Sequence, residues 1–344
     1  MATSAHLAMP LLLLALFFYC CSATVASLVP ASPLHLAYHH GPLLAGPDPI
    51  KLSLTFYGHF EPSQRATLKA FLSSFSPSSV QANRRSLRGS VLPVVETPSV
   101  SSWWSLTHHF SDLQGHHVSQ SVIVDHEIDD AYSLGRSLTA SDIASLAKRT
   151  ANHAKGENSV SVIFTSADVM VDGFCMHACG GHSYSNLEDG GNPDAANGAE
   201  MHSGYGARDG MDPYVWVGNP ETQCPGLCAW PFAKPQYGPV MEPLKAPNGV
   251  GVDGMVIALA KLLVGTATNP MGNAFYQGEA TSLKLEAGEI CTGKYGAGAY
   301  PGFPGELLQN PRSGASYNME GRHGVQFLVP WIWNLASGTC AGQA

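Results

Sequence analysis

Two short segments with one spacing, Cys175-x-x-x-Cys179 and Cys224-x-x-x-Cys228, constrain this chain more than any other feature. Cys291 and Cys340 follow them, and the remaining two of the eight cysteines, Cys20 and Cys21, lie in an apolar stretch near the N-terminus. An even set of cysteines in an oxidising compartment reads as a disulfide framework, whereas the same residues in a reducing one read as a metal site. Cys175, Cys179, Cys224 and Cys228, with His177 and His182 close by, have the ligand types for zinc, so that alternative stays open. The framework reading pairs Cys291 with Cys340, the two beyond the centre, and leaves Cys175, Cys179, Cys224 and Cys228 to close among themselves. The N-terminal half has no such staple and has to be held by packing.

The compartment follows from residues 1–26. Leu11 to Tyr19 is an unbroken apolar run, well short of the ~20 residues of a spanning helix, and small residues follow it. This reads as a secretory signal cleaved after Ala23 or Ala26, although no Lys or Arg precedes the run. A formal charge of −8 disfavours nucleic acid and anionic membrane surfaces as partners. The expectation is a soluble secreted protein of the extracellular space, without membrane insertion.

Residues 27–49 are rich in Pro, Gly and His and read as an extended arm. Ile50 to Tyr57 alternates as a strand with Leu52, Leu54 and Phe56 on one face, and Ser63 caps a helix striped by Leu68, Phe71, Leu72 and Phe75. A linker over 76–97 carries Arg84, Arg85 and Arg88. Pro98-Ser99 opens a helix with Trp103 and Trp104. A short strand, Ser121 to Val124, leads into an acidic turn, Asp125 to Asp130. Ser141 caps a helix with Ile143, Leu146 and Ala147 inward, and Ser159 to Thr165 is the next strand. Residues 180–213 read as a flexible loop. Val215-Trp216-Val217 is a strand, stopped by Gly218-Asn219-Pro220. Val252 to Gly265, capped by Asp253 and stopped by Gly265, is apolar on all faces except Lys261 and therefore a buried helix. Val325 to Leu335 reads as an edge strand tied down by Cys340. The alternation gives an α/β (α+β) fold: a mixed β-sheet packed by helices, with a Gly/Pro-rich, disulfide-bonded C-terminal half. Residues 50–344 form one domain, an α/β half over 50–170 and a cysteine-containing half over 171–344.

Chemical motifs are sparse. His126-Glu127-Ile128-Asp129-Asp130 has Asp130 where a zinc helix needs its second His, and Gly181-His182-Ser183-Tyr184-Ser185 lacks the closing glycine of a nucleophile elbow. The glycines from Gly293 to Gly305 fit no nucleotide-binding fingerprint. No catalytic residue, metal or cofactor is assigned. Trp103, Trp104 and Trp230 are the candidate ligand contacts, as flat faces for the sugar rings of a polysaccharide.

Several segments together resemble one family: YHHGPLLAG from Tyr38, YGHFEPSQR from Tyr57, PSVSSWW from Pro98, DAYSLGRSLT from Asp130, GFCMHAC from Gly173, CPGLCAWPF from Cys224, APNGVGVDGM from Ala246 and TNPMGNAFYQG from Thr268. They are similar to the plant EXORDIUM, or phosphate-induced protein, family. The resemblance implies a secreted apoplastic protein linked to brassinosteroid-dependent growth and cell expansion. The expected mode of action is binding of a cell-wall component or receptor, with an extracellular peptidase-like or carbohydrate-active hydrolase as the alternative. A second likeness, a buried helix after a sheet, is similar to the zincin metalloproteases. Val252 to Gly278 contains neither His nor Glu, so that likeness implies a degenerate scaffold without the zinc chemistry.

Overall fold

The computed structural model describes residues 34–76, 98–153, 156, 158–186, 211–239, 241–278 and 284–343. The expected signal segment and the Arg84 to Arg88 cluster lie outside the described residues.

A five-stranded mixed sheet organises the domain. Its strands are β1 (Ile50–Tyr57), β2 (Val122–Asp130), β3 (Ser159–Thr165), β4 (Gly180–Asn186) and β5 (Met211–Gly218). They lie in the order β2-β1-β3-β5-β4, with β4 antiparallel at one edge and the other neighbours parallel. Parallel strands need helical crossovers that cover both faces, and the side-chain alternation shows which helix covers which. Leu52, Leu54 and Phe56, Val160, Val162 and Phe164, and Val215 and Val217 point to one face. There they meet Leu68, Phe71 and Leu72 of α1 (Pro62–Ser73), the aromatic pair of α2 (Val100–Trp104), and α4 (Val250–Thr268). Tyr57, Ile163 and Trp216 point to the other face, onto Ile143, Leu146 and Ala147 of α3 (Ala140–Ala151).

Helix α4 is long and apolar enough to cross a membrane, but it is the core helix of this domain, with Met255, Val256, Leu259, Ala260 and Val264 fully buried. Two disulfides, Cys175–Cys224 and Cys179–Cys228, lie side by side on the α3 face near Phe174 and Trp216; Cys291–Cys340 staples the C-terminal hairpins. All six sulfurs are thus consumed in disulfides, which removes the thiolates that the zinc alternative required.

Several expectations are corrected. The arm is not wholly extended: Ala37–Tyr38 pairs with Phe275–Tyr276. The acidic turn is a strand: 125–130 continues β2, whose Glu127 and Asp129 form ion pairs with Lys69 and Arg65 of α1. The expected loop over 180–213 begins and ends in strands, because Gly180 to Asn186 pairs with Met211 to Val217; residues 187–210 lie outside the described residues. Helix α4 runs past Gly265 to Thr268, and its N-cap is Gly249, with Asp253 in the first turn. The caps of α1 and α3 are Glu61 and Thr139, each in a capping box with the residue three positions on. Val325 to Leu335 divides into two short strands, Gln326–Phe327 and Ile332–Asn334, the latter in register with Thr339–Ala341.

Candidate functional site

In an open sheet with parallel strands, ligands collect where successive crossovers leave in opposite directions, outside the carboxyl ends of the strands. That point lies here between β1 and β3. The chain leaves β1 for α1 on one face and enters β3 from α3 on the other. Four segments converge on it: Gly58 to Glu61 after β1, Asp130 to Arg136 after β2, Ser166 to Asp168 after β3, and Asn219 to Gln223 after β5.

Hydrogen bonds bind these loops to each other. Ser166 N donates to Tyr57 O, Gly58 N to Asp130 O and Asn219 N to Thr165 O. Thr222 and Gln223 side chains donate to the Ala167 carbonyl. Gly58 has φ +94°, and a Cβ there would collide with the Ser166 hydroxyl, so the close approach of the two loops depends on glycine. Asp168 is the hub. It accepts from Ser166 Oγ at 2.6 Å and Tyr132 Oη at 2.9 Å, and pairs with Arg136 at 3.1 Å. Burial favours the neutral acid, but these bonds outweigh it and hold the carboxyl below the ordinary carboxylate range. Arg136 also lies over the Tyr132 ring at 4.6 Å. Outside this hub, exposed His59 and Glu61 are 3.2 Å apart, and Gln64 reaches Glu221 at 3.4 Å. The arrangement offers a fixed anion with its acceptors already occupied, ringed by exposed polar groups.

A second ionisable group is buried between β4 and α4. His182 Nε2 meets Glu286 Oε2 at 2.6 Å, while Asn269 Nδ2 donates to Glu286 Oε1 at 2.5 Å. Gly265 makes room for the pair: a Cβ there would lie 2.5 Å from the Glu286 carboxylate and 3.0 Å from His182. Burial alone would lower the His182 pKa, but the Glu286 carboxylate reverses this and raises it. Burial raises Glu289 and lowers Lys261. Lys261 is half-buried on the face of α4 turned toward this group. His182 Nδ1 has no partner among the described residues. Glu286 and Glu289 carried no sequence signal, because the ion pair joins residues 104 positions apart.

The sequence-derived ligand contacts separate. Trp103 and Trp104 are 0 % and 1 % exposed; Trp104 stacks on Phe75 in the core with Trp103 tilted against the same ring, and their indole N–H groups donate to the Pro330 and Ser119 carbonyls. They are structural, because a satisfied indole inside an aromatic cluster has no face left for a ligand. Trp230 is half-buried against Tyr295, whose hydroxyl donates to the Trp230 carbonyl at 3.3 Å. The motif that resembles a zinc helix lies on strand β2, and the near-elbow lies inside strand β4, so neither has the backbone its chemistry requires.

Comparison with known proteins places these features in a family. Residues 36–343 match the phosphate-induced protein 1 conserved region. PHOSPHATE-INDUCED 1 of Nicotiana tabacum is 42 % identical over 99 % of both chains. EXORDIUM-like 1 of Arabidopsis thaliana is 42 % identical over 88 % of each, and EXORDIUM of the same plant is 41 % identical over 89 % of this chain and 88 % of its own. No solved structure matches. With the match running from the first short strand to the last hairpin, the chain belongs to the phosphate-induced protein 1 family, that of EXORDIUM and its relatives.

Proposed function

We propose that this protein is secreted to the apoplast and promotes growth and cell expansion, in connection with the brassinosteroid response, by binding a cell-wall component or receptor. The observation that carries the reading is identity of about two residues in five to EXORDIUM and PHOSPHATE-INDUCED 1 over nearly the whole chain. Two further features support it. All six cysteines outside the N-terminal segment are paired, a chemistry suited to an oxidising compartment. The core helix α4 has the place of a catalytic helix in the zincin likeness, yet it presents aliphatic side chains and no His or Glu. The polar rim at the carboxyl ends of the strands is a surface on which binding can occur.

The test compares plants expressing the full chain with plants expressing a chain that lacks residues 1–26. The full chain is expected in apoplastic washes, retained by isolated walls, and accompanied by longer epidermal cells, with a larger effect when brassinosteroid is supplied. Retention of the full chain inside the cell, or cell length equal in the two lines, refutes the reading. Hydrolysis of wall polymers or peptides by the purified protein favours the hydrolase alternative.

A further inference from the structure

The C-terminal hairpins enclose an open cleft of about 490 Å³ that belongs neither to the rim nor to the His182 group. Its walls include Trp331, Leu308, Pro98, Glu306, Gln343 and Gly342. Trp331 is half-buried, and its indole N–H has no hydrogen-bond partner among the described residues, unlike those of Trp103, Trp104 and Trp216. The indole rests on Gly342, where a Cβ would collide with its pyrrole edge. Leu308 is 41 % exposed, an apolar side chain open to solvent at the wall. Glu306 and Gln343 are exposed.

The cleft is held in shape. Trp331 N donates to Lys294 O, Glu306 N to Ala297 O and Tyr295 N to Pro304 O. Cys291–Cys340 ties the segment ahead of Lys294 to the strand just before Gly342. A loop-built cavity fixed in this way loses little freedom when it is filled, which favours binding of a small ligand.

Its chemistry is specific. A flat aromatic ring beside aliphatic surface offers an apolar platform; a carboxylate and a carboxamide at the edge accept and donate hydrogen bonds. A pyranose presents this pattern in reverse, with C–H groups on its face and hydroxyls around its edge. The negative face of an indole attracts such C–H groups. No Lys, Arg or His is among the described residues that line the cleft, and Glu306 and the net charge of −8 repel an anionic sugar. We infer that this cleft binds a neutral oligosaccharide, with one sugar ring stacked on Trp331 and hydroxyls bonded by Glu306 and Gln343. The inference rests on the binding function proposed above and names the class of wall component.

The test is isothermal titration of the purified mature protein at pH 5.5 with cellotetraose, xylotetraose and mannotetraose, and with tetragalacturonate as the anionic comparator. At least one neutral sugar is expected to bind about tenfold or more tightly than tetragalacturonate, quenching tryptophan fluorescence. Trp331→Ala is expected to weaken it by about tenfold or more, as truncation of a central aromatic anchor does. Trp331→Phe keeps part of the affinity, and Glu306→Gln narrows the gap to tetragalacturonate. Circular dichroism and melting of each variant separate lost binding from lost fold. The inference is overturned if no neutral sugar binds, or if a folded Trp331→Ala binds as the parent does. Retention on isolated walls, measured in parallel, keeps the two readings distinct. Equal retention of parent and Trp331→Ala removes the cleft as the wall site and leaves wall binding standing, whereas a parent that walls do not retain removes wall binding itself.

Discussion

Asp253 makes stability depend on pH in a direction that can be worked from the structure. The side chain is 1 % exposed in the first turn of α4. Its oxygens accept from Asn248 N and Asn248 Nδ2, both at 2.8 Å. Burial dominates over these bonds and pushes the pKa from 3.8 up to about 7. The folded chain therefore holds a proton that the unfolded chain releases near pH 4. Between those values the folded state binds more protons, so stability falls as pH rises. A span of about 3 pH units at about 1.4 kcal/mol each gives roughly 4 kcal/mol. The contribution is complete below about pH 4 and gone above about pH 7. Set against a total of about 5–15 kcal/mol for a typical domain, this favours an acidic medium strongly. His182, with its raised pKa, acts in the same direction: its ion pair with Glu286 adds stability below the ordinary pKa of 6.5 and loses it as pH rises through the higher folded value. Urea unfolding at half-unit steps from pH 4 to 8 measures the slope. Asp253→Asn removes the titrating group and should flatten the fall by about the same roughly 4 kcal/mol, leaving the His182 part. A parent whose stability rises over this window, or a variant with an unchanged profile, refutes the reasoning.

Three further perturbations have definite outcomes. Leu259→Ala empties a fully buried position between α4 and the sheet and should cost ~2–5 kcal/mol by denaturant unfolding. Gly58→Ala puts a Cβ at φ +94° against Ser166; it should cost ~1–3 kcal/mol in strain and loosen the Asp168 hub, read as faster amide exchange after β1 and β3. Cys175→Ser leaves Cys224 Sγ 3.8 Å from Cys228 Sγ. The Cys224 thiolate can then attack Cys228 Sγ and expel the Cys179 thiolate, so non-reducing peptide mapping should find a Cys224–Cys228 bridge and free Cys179.

How far the sequence spoke for the fold depended on where a residue's partner lies. Ile50 to Tyr57 and Ser159 to Thr165 are buried on both faces and carry the apolar composition of such strands, so they could be read locally. The outer half of β2 is polar because it is an edge strand. Glu127 and Asp129 meet Lys69 and Arg65 of the overlying helix, and charge at an edge also discourages pairing with another chain. Gly180 to Asn186 has almost no intrinsic strand character and owes its conformation to β5 beside it. Gly265 looked like a helix stop; it is instead a gap in the surface of α4 that the His182–Glu286 pair fills. The Cys291–Cys340 pairing was accessible because only one partner lay beyond the central group for Cys291, whereas the pairing within the central four depends on how Gly173 to Cys179 meets the segment after β5. Trp103 and Trp104 resembled a platform by composition alone, whereas the cleft beside Trp331 required Gly342, Glu306 and Pro98 to be brought together from distant segments.

The twin disulfides have a consequence for how the molecule withstands cleavage. Cys175–Cys224 and Cys179–Cys228 each join residues 49 positions apart, and both enclose residues 180–223. A protease that cuts one peptide bond inside that span makes two polypeptides but releases neither, since each fragment is held by two sulfur bridges and by the sheet. Wild-type protein cleaved there would migrate as one species until reduced. A chain so built can be nicked inside that span and still present the same folded surface.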